Sequence, residues 1–126
     1  MASRSLTLRC DVVISDLLCR AIREYAHAAY PEGGSDCAQV ARYTLLEAAS
    51  AIDTAITTDH GEAAISRRLR TTLKAAIDYY FDHLDAASGT GSIHQRAVFA
   101  GLLRGEPLSR AALDAALAAD GGSADA

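Results

Sequence analysis

The segment Ser5-Leu6-Thr7-Leu8-Arg9 decides how the rest of the chain is interpreted. Leu6 and Leu8 alternate with three polar residues, which is the two-residue period of a β-strand that buries one face. A lone strand leaves its backbone N–H and C=O groups without partners. Because no second strand is evident in the sequence, we expect this one to pair with the same strand of another copy. The sequence therefore predicts a homodimer or a larger even oligomer.

Two helices are predicted behind the strand. Apolar residues at helical spacing predict the first from Asp11 to Ala28, with the Asp11 carboxylate at the positively polarised end. After a turn rich in glycine, Ser35 or Asp36 is expected to cap a second helix that continues to Thr57. The predicted buried face of this helix consists of Val40, Thr44, Leu45, Ala48, Ala49, Ile52 and Ile56.

The later part of the chain is also predicted to be helical. A stripe of apolar residues indicates one continuous helix over residues 62–87. Shorter helices are expected from Ser92 to Gly105 and from Ser109 to about Ala119. The predicted fold class is therefore mainly α, with a short N-terminal β-strand followed by about five helices.

The 126 residues divide into three predicted parts. Residues 1–58 contain the strand and the first two helices, and residues 59–120 form a helical extension. Residues 121–126 have little to bury and are expected to be disordered. The first part is where a function in dimerisation or DNA binding is expected.

Three segments of the first part carry a family resemblance. They are Leu6-Thr7-Leu8-Arg9, Gly34-Ser35 and Val40-Ala41-Arg42-Tyr43-Thr44-Leu45-Leu46. Over residues 4 to 56 the layout resembles the N-terminal half of the ribbon-helix-helix DNA-binding proteins, the family that includes Arc and MetJ. The resemblance implies an intersubunit β-ribbon that enters the major groove of DNA.

The resemblance also implies which residues contact DNA. The residues expected to contact base edges are Ser5, Thr7 and Arg9, whose side chains can bond to exposed groups in the major groove. The residues expected to contact phosphates are Arg4, Gly34 and Ser35, because a helix N-terminus and a nearby cation both attract anions. The first function hypothesis is therefore a small DNA-binding transcriptional regulator.

The charge favours a second hypothesis. The formal net charge is −4, from 12 basic and 16 acidic residues, and a field of that sign does not attract nucleic acid. DNA binding would depend on local cations such as Arg4 and Arg9. The alternative is an acidic helical adaptor or inhibitor that binds another protein and not DNA.

The densest charged segment runs from Arg67 to Asp85. Its members are the bases Arg67, Arg68, Arg70 and Lys74 and the acids Asp78, Asp82 and Asp85. On one continuous helix, a two-fold axis near Ala76 would match Arg67, Arg70 and Lys74 with the three aspartates of a second copy. The preferred interpretation is a solvated face with a local Lys74–Asp78 pair. A third interpretation is that the bases bind phosphate or an acidic partner.

Other chemistry finds little support in the sequence. Glu24 and His27 share one helix face, but a di-iron site needs a second such motif. The histidines lie in separate elements and no phosphate-binding glycine loop is present, so we expect no enzyme, no metal and no cofactor. The three cysteines show neither disulfide nor zinc spacing. Without a predicted signal peptide or membrane span, we expect a cytoplasmic protein with no membrane partner.

Overall fold

The computed structural model describes residues 5–84 and 93–122. The elements in chain order are β1 (Ser5–Arg9), α1 (Val12–Ala29), α2 (Asp36–Thr58), β2 (Glu62–Ser66), a 3-10 turn (Arg67–Leu69), α3 (Arg70–Tyr79), a π-helical turn (Tyr80–Leu84), α4 (Ile93–Leu102) and α5 (Arg110–Gly122). The fold is mainly helical, with a short strand pair and five α-helices within the described ranges, which confirms the predicted fold class.

Helices α1 and α2 form an antiparallel pair whose ends lie close to the predicted ones. The Asp11 side chain caps α1, and the Ser35 hydroxyl accepts a hydrogen bond from the Ala38 N–H to cap α2. Midway along the pair, the buried Cys19 thiol donates to the Ala49 carbonyl oxygen over 3.2 Å. Small residues such as Ala49 permit this close approach of the two backbones.

The first turns of α2 differ from the prediction. Val40 is 64% exposed and Thr44 is also exposed, although both were expected on the buried face. The observed buried stripe consists of Arg42, Leu45, Ala48, Ala49, Ile52 and Ile56. Arg42 is only 6% exposed, and its guanidinium lies 3.5 Å from the exposed Glu32 carboxylate. The buried face of α2 therefore begins at Arg42 and not at Val40.

The predicted continuous helix over residues 62–87 is wrong at its N-terminal end, and residues 85–87 lie outside the described ranges. Glu62–Ser66 is strand β2, which pairs antiparallel with β1 so that Ser5 faces Ser66 and Arg9 faces Glu62. A 3-10 turn then leads into α3, and a π-helical turn follows α3. β1 thus has a partner in its own chain, which removes the reason for expecting it to pair with a second copy.

The turn between α2 and β2 depends on Gly61. Its φ is +87°, and a Cβ atom at this position would lie 2.9 Å from the Cys10 carbonyl oxygen. The Gly61 carbonyl in turn accepts a hydrogen bond of 3.0 Å from the Cys10 N–H. The absence of a side chain lets the end of β1 approach the turn closely.

The C-terminal helices share one hydrophobic core with the N-terminal part. Tyr79 packs edge-on against Tyr25 of α1, and Phe81 packs against Phe99 of α4. The buried Gln95 side chain donates to the Leu113 carbonyl, which joins α4 to α5. Buried residues from both sides of position 58 therefore belong to the same core. Helix α5 extends to Gly122, beyond the predicted start of the tail at residue 121, and residues 123–126 lie outside the described ranges.

Candidate functional site

The strand pair presents one polar face to solvent. The side chains of β1 alternate as predicted, with Leu6 and Leu8 buried and Ser5 and Arg9 exposed, while Thr7 is half-buried. The outward side chains of β2 are Glu62, Ala64 and Ser66. The structure therefore brings together all three residues predicted to contact bases, on a ribbon that a single chain completes.

Arg9 is held at one end of this face. Its Nη1 donates to the Gly105 carbonyl over 3.1 Å, and its Nε lies 3.4 Å from a carboxylate oxygen of Glu62. Beyond Arg9, the Leu108 N–H donates to the Arg9 carbonyl, and Cys10 forms a parallel bridge with Leu108. This end of β1 is thus bonded on both edges, which leaves no edge there for a second copy of the strand.

The residues predicted to contact phosphate do not join the ribbon. Gly34 and Ser35 lie at the end of the α1–α2 pair opposite Arg9, and α1 alone is roughly 27 Å long at about 1.5 Å per residue. Arg4 lies outside the described residues. The N-terminus of α2, to which the resemblance assigns the phosphate contact, therefore does not lie beside the strand within one chain.

The basic cluster begins directly at the end of β2. Arg67, Arg68 and Arg70 are exposed and form no ion pair within the described part of the chain. Lys74 pairs with Asp78 over 3.0 Å, the local pair that the preferred interpretation predicted. Three arginines next to the polar face of the ribbon are consequently available to an anionic partner.

The two-fold pairing that was the alternative interpretation of this segment meets a different local geometry in the structure. It required one continuous helix, whereas Arg67 lies in a 3-10 turn and Asp82 in a π-helical turn. The Arg96 guanidinium of α4 lies 3.5 Å from Asp78 and also bonds to the Asp82 carboxylate. Two of the three acids are thus paired within the chain, and Asp85 lies outside the described residues.

A cleft that the sequence did not predict lies where the strands end. It encloses about 740 Å³. The residues that line it are Arg9, Cys10, Asp11, Val12, Ile56, His60, Gly61, Glu62, Pro107, Leu108, Ser109 and Ala112. Both oxygens of the Asp11 carboxylate accept hydrogen bonds: Oδ1 accepts from the Ile14 N–H at 2.9 Å, and Oδ2 accepts from the Arg110 N–H at 2.7 Å. One side chain therefore caps α1 and also binds the first N–H group of α5, whose N-cap is Ser109.

The groups of this cleft do not form a nucleophilic site. Burial, followed by the nearby Asp11 carboxylate, raises the pKa of the Cys10 thiol to about 12, so the thiol stays protonated. His60 has a left-handed backbone with φ of 55°, and its side chain is exposed at the rim. Arg9 and Glu62 already pair with each other. The cleft is mainly a junction that binds β1, α1 and α5 together.

The remaining candidate chemistry is dispersed. Glu24 and His27 are both exposed on α1. Within residues 5–84 and 93–122, no three metal-ligating side chains come close enough to hold an ion. No helix in these ranges is both long and apolar enough to cross a membrane. Comparison with protein-family models, with curated proteins and with solved structures found no match to this chain.

Proposed function

We propose that this protein binds DNA, and that the binding element is the β1–β2 ribbon of a single chain. Two neighbouring features carry the proposal. The first is the polar outward face of the ribbon, and the second is the group Arg67, Arg68 and Arg70 after β2, which forms no ion pair within the described residues. The register places Ser66, and hence the first of these arginines, beside Ser5. The polar face proposed to contact bases and the positive charge proposed to contact phosphates therefore lie next to each other.

The roles of these residues follow from the chemistry of DNA. A two-stranded ribbon fits the major groove, where the Ser5 and Thr7 hydroxyls can bond to base edges. The Arg9 guanidinium can do the same by exchanging its surface pair with Glu62 for a base, because such exposed pairs are weak. Arginines at the end of the ribbon can bind the backbone phosphates that flank the groove. Local cations of this kind supply affinity even when the chain as a whole carries a net charge of −4.

The ribbon changes the expected assembly. Because β2 supplies the second strand, one chain can bind DNA, and a homodimer would serve only to place two ribbons on neighbouring sites. The proposed setting is the cytoplasm, and the proposed role is transcriptional regulation. The three unlinked cysteines suit a reducing compartment.

The test compares two double variants that remove the same charge. Arg67→Gln with Arg68→Gln should lower the affinity for genomic DNA fragments and reduce the slope of log affinity against log salt by about 2, because two phosphate contacts are lost. The matched control is Arg20→Gln with Arg23→Gln, since both arginines are exposed on α1 and form no ion pair within the described residues.

Recognition of the DNA base sequence by the ribbon is tested separately with Arg9→Ala. This change should cost about 1–3 kcal/mol at a preferred site and relax the preference at one base pair. The proposal fails if the wild type binds no fragment better than bulk competitor DNA. It also fails if the α1 control weakens binding as much as the change at Arg67 and Arg68.

A second candidate function is that of a protein-binding adaptor. It is favoured by two exposed apolar residues on one face of α2: Val40 is 64% and Tyr43 is 59% exposed. Exposed aromatic and aliphatic side chains in one patch are typical of protein interfaces. A partner captured by the wild type should be lost from the Val40→Ser, Tyr43→Ser double variant and kept by Ser50→Ala, which alters another exposed position of α2.

A further inference from the structure

A second cavity lies between the start of α3 and the end of α4. It encloses about 300 Å³. Arg70, Thr71 and Lys74 line it from α3, and Ala100, Leu103 and Arg104 line it from α4 and the turn that follows. Residues 70 and 74 are one helical turn apart, so their side chains extend from the same face of α3. Arg104 closes the cavity from the opposite side.

The lining of this cavity carries positive charge only. Arg70, Lys74 and Arg104 are cationic, and no carboxylate is among the lining residues. Arg70 forms no ion pair within the described ranges. Lys74 pairs with Asp78 over 3.0 Å and Arg104 with Glu106 over 3.1 Å, but both pairs are on the surface. Surface pairs contribute little to stability, so an incoming anion can compete for these cations.

The lining also has an apolar part. Ala100 and Leu103 supply it, and the Thr71 hydroxyl adds one more hydrogen-bond donor. Two guanidinium groups, one ammonium group and one hydroxyl match the several oxygen acceptors and the charge of a phosphate group. A carboxylate would offer two oxygens and a single charge, which is a poorer match for three cations.

We propose that this cavity binds a phosphate group. Arg70 and Arg104 donate to its oxygens from opposite sides, Lys74 supplies a third charge, and Thr71 donates its hydroxyl proton. The phosphate can come from a small phosphorylated molecule or from a nucleic-acid backbone. The cavity uses none of Ser5, Thr7 and Arg9, and it shares only Arg70 with the residues proposed to bind DNA. The two proposals can therefore be tested separately through Arg104.

The experiment is a titration of the isotopically labelled full chain with inorganic phosphate, followed by amide chemical shifts. Sodium chloride at the same ionic strength is the reference. Phosphate should produce saturable shifts confined to the amides of residues 70–74 and 100–104. Arg70→Gln and Arg104→Gln should each weaken binding by about tenfold, because each removes a charge-assisted contact. Arg20→Gln removes the same charge from α1 and should leave the affinity unchanged.

Two model compounds distinguish the sources of the phosphate. Methyl phosphate is a dianion, whereas dimethyl phosphate carries the single charge of a DNA phosphodiester. Tighter binding of methyl phosphate would assign the cavity to a small phosphorylated ligand, and equal binding would assign it to a nucleic-acid backbone. Either result supports a phosphate site.

The proposal is overturned if chloride produces the same shifts, or if Arg20→Gln weakens phosphate binding as much as Arg70→Gln. The experiments distinguish failure of the phosphate proposal from failure of the DNA-binding proposal. Phosphate shifts in a chain that retains no DNA would refute only the ribbon proposal. DNA binding without any response to phosphate would refute only the cavity proposal.

Discussion

Replacement of Asp11 by alanine is expected to weaken two helices at the same time. The Asp11 Oδ1 accepts from the Ile14 N–H at 2.9 Å, which caps α1, and Oδ2 accepts from the Arg110 N–H at 2.7 Å, which caps α5. The first turn of α1 contains no other acidic residue. Because α5 lies far away in sequence, the second bond also fixes α5 against the end of β1.

The size of the effect follows from these two bonds. Loss of one N-cap costs about 1 kcal/mol, so Asp11→Ala should lower the free energy of unfolding by about 2 kcal/mol. For a chain of this length, that loss corresponds to a fall in Tm of about 7 °C. Asp11→Asn keeps one acceptor oxygen and should cost about 1 kcal/mol, because its amide NH₂ cannot accept from the other N–H.

Urea denaturation of the full chain measures both changes, provided that the slope of the free energy against urea stays constant. Asp16→Ala is the matched control, since Asp16 is exposed on α1 beyond its first turn. A cost for Asp11→Ala no larger than that of the control would refute the double cap. Equal costs for the alanine and asparagine variants would show that the bond kept by the asparagine oxygen contributes nothing.

Two further predictions concern buried residues of β1 and its end. Leu8 is 0% exposed within one chain, so Leu8→Ala should cost about 2–5 kcal/mol. The urea midpoint of the Leu8→Ala variant should not depend on protein concentration. A dependence would show that Leu8 is buried in a dimer interface. The Cys10 pKa is raised from 9.0 to about 12, so above pH 9 the unfolded thiol loses a proton that the folded one keeps. Stability should therefore fall as pH rises from 9 toward 12, and Cys10→Ala should reduce that fall.

Local signals in the sequence predicted the helical pair well. Helix α1 begins after Asp11 and α2 after Ser35, because a side-chain oxygen next to an apolar helical pattern is a strong start signal. Ser109 caps α5 for the same reason, with its hydroxyl accepting from the Ala112 N–H. These features depend on residues three or four positions apart, which a single sequence displays.

Strand β2 was missed because its residues satisfy two periods. Ile65 precedes Leu69 and Leu73 by four and eight positions, so it fits a helical stripe. Ala63 and Ile65 also alternate with polar or small residues, which is the period of the observed strand. Alanine also favours a helix. The sequence of residues 62–66 does not reveal that the edge of β1 lies beside them in the fold. Pairing with β1 overrides the local preference.

The candidate sites depend on contacts that no local pattern encodes. The bond from Arg110 to Asp11 and the pairing of Arg96 with Asp78 join distant parts of the chain. The cavity proposed to bind phosphate likewise adds Arg104 to three residues of α3. The sequence indicated a basic cluster and a polar strand, and the fold determines which other side chains complete them.

The order in which the ribbon is made has a consequence during synthesis. β1 leaves the ribosome first, but its partner Glu62–Ser66 emerges only after both long helices have been translated. At typical translation rates the hydrophobic face of β1 stays exposed for seconds before β2 is available. An unpaired strand can aggregate during this time. The Leu108 contact that binds the other edge of β1 arrives later still. A ribosome-bound chaperone that shields Leu6 and Leu8 during this interval would therefore raise the yield of folded protein.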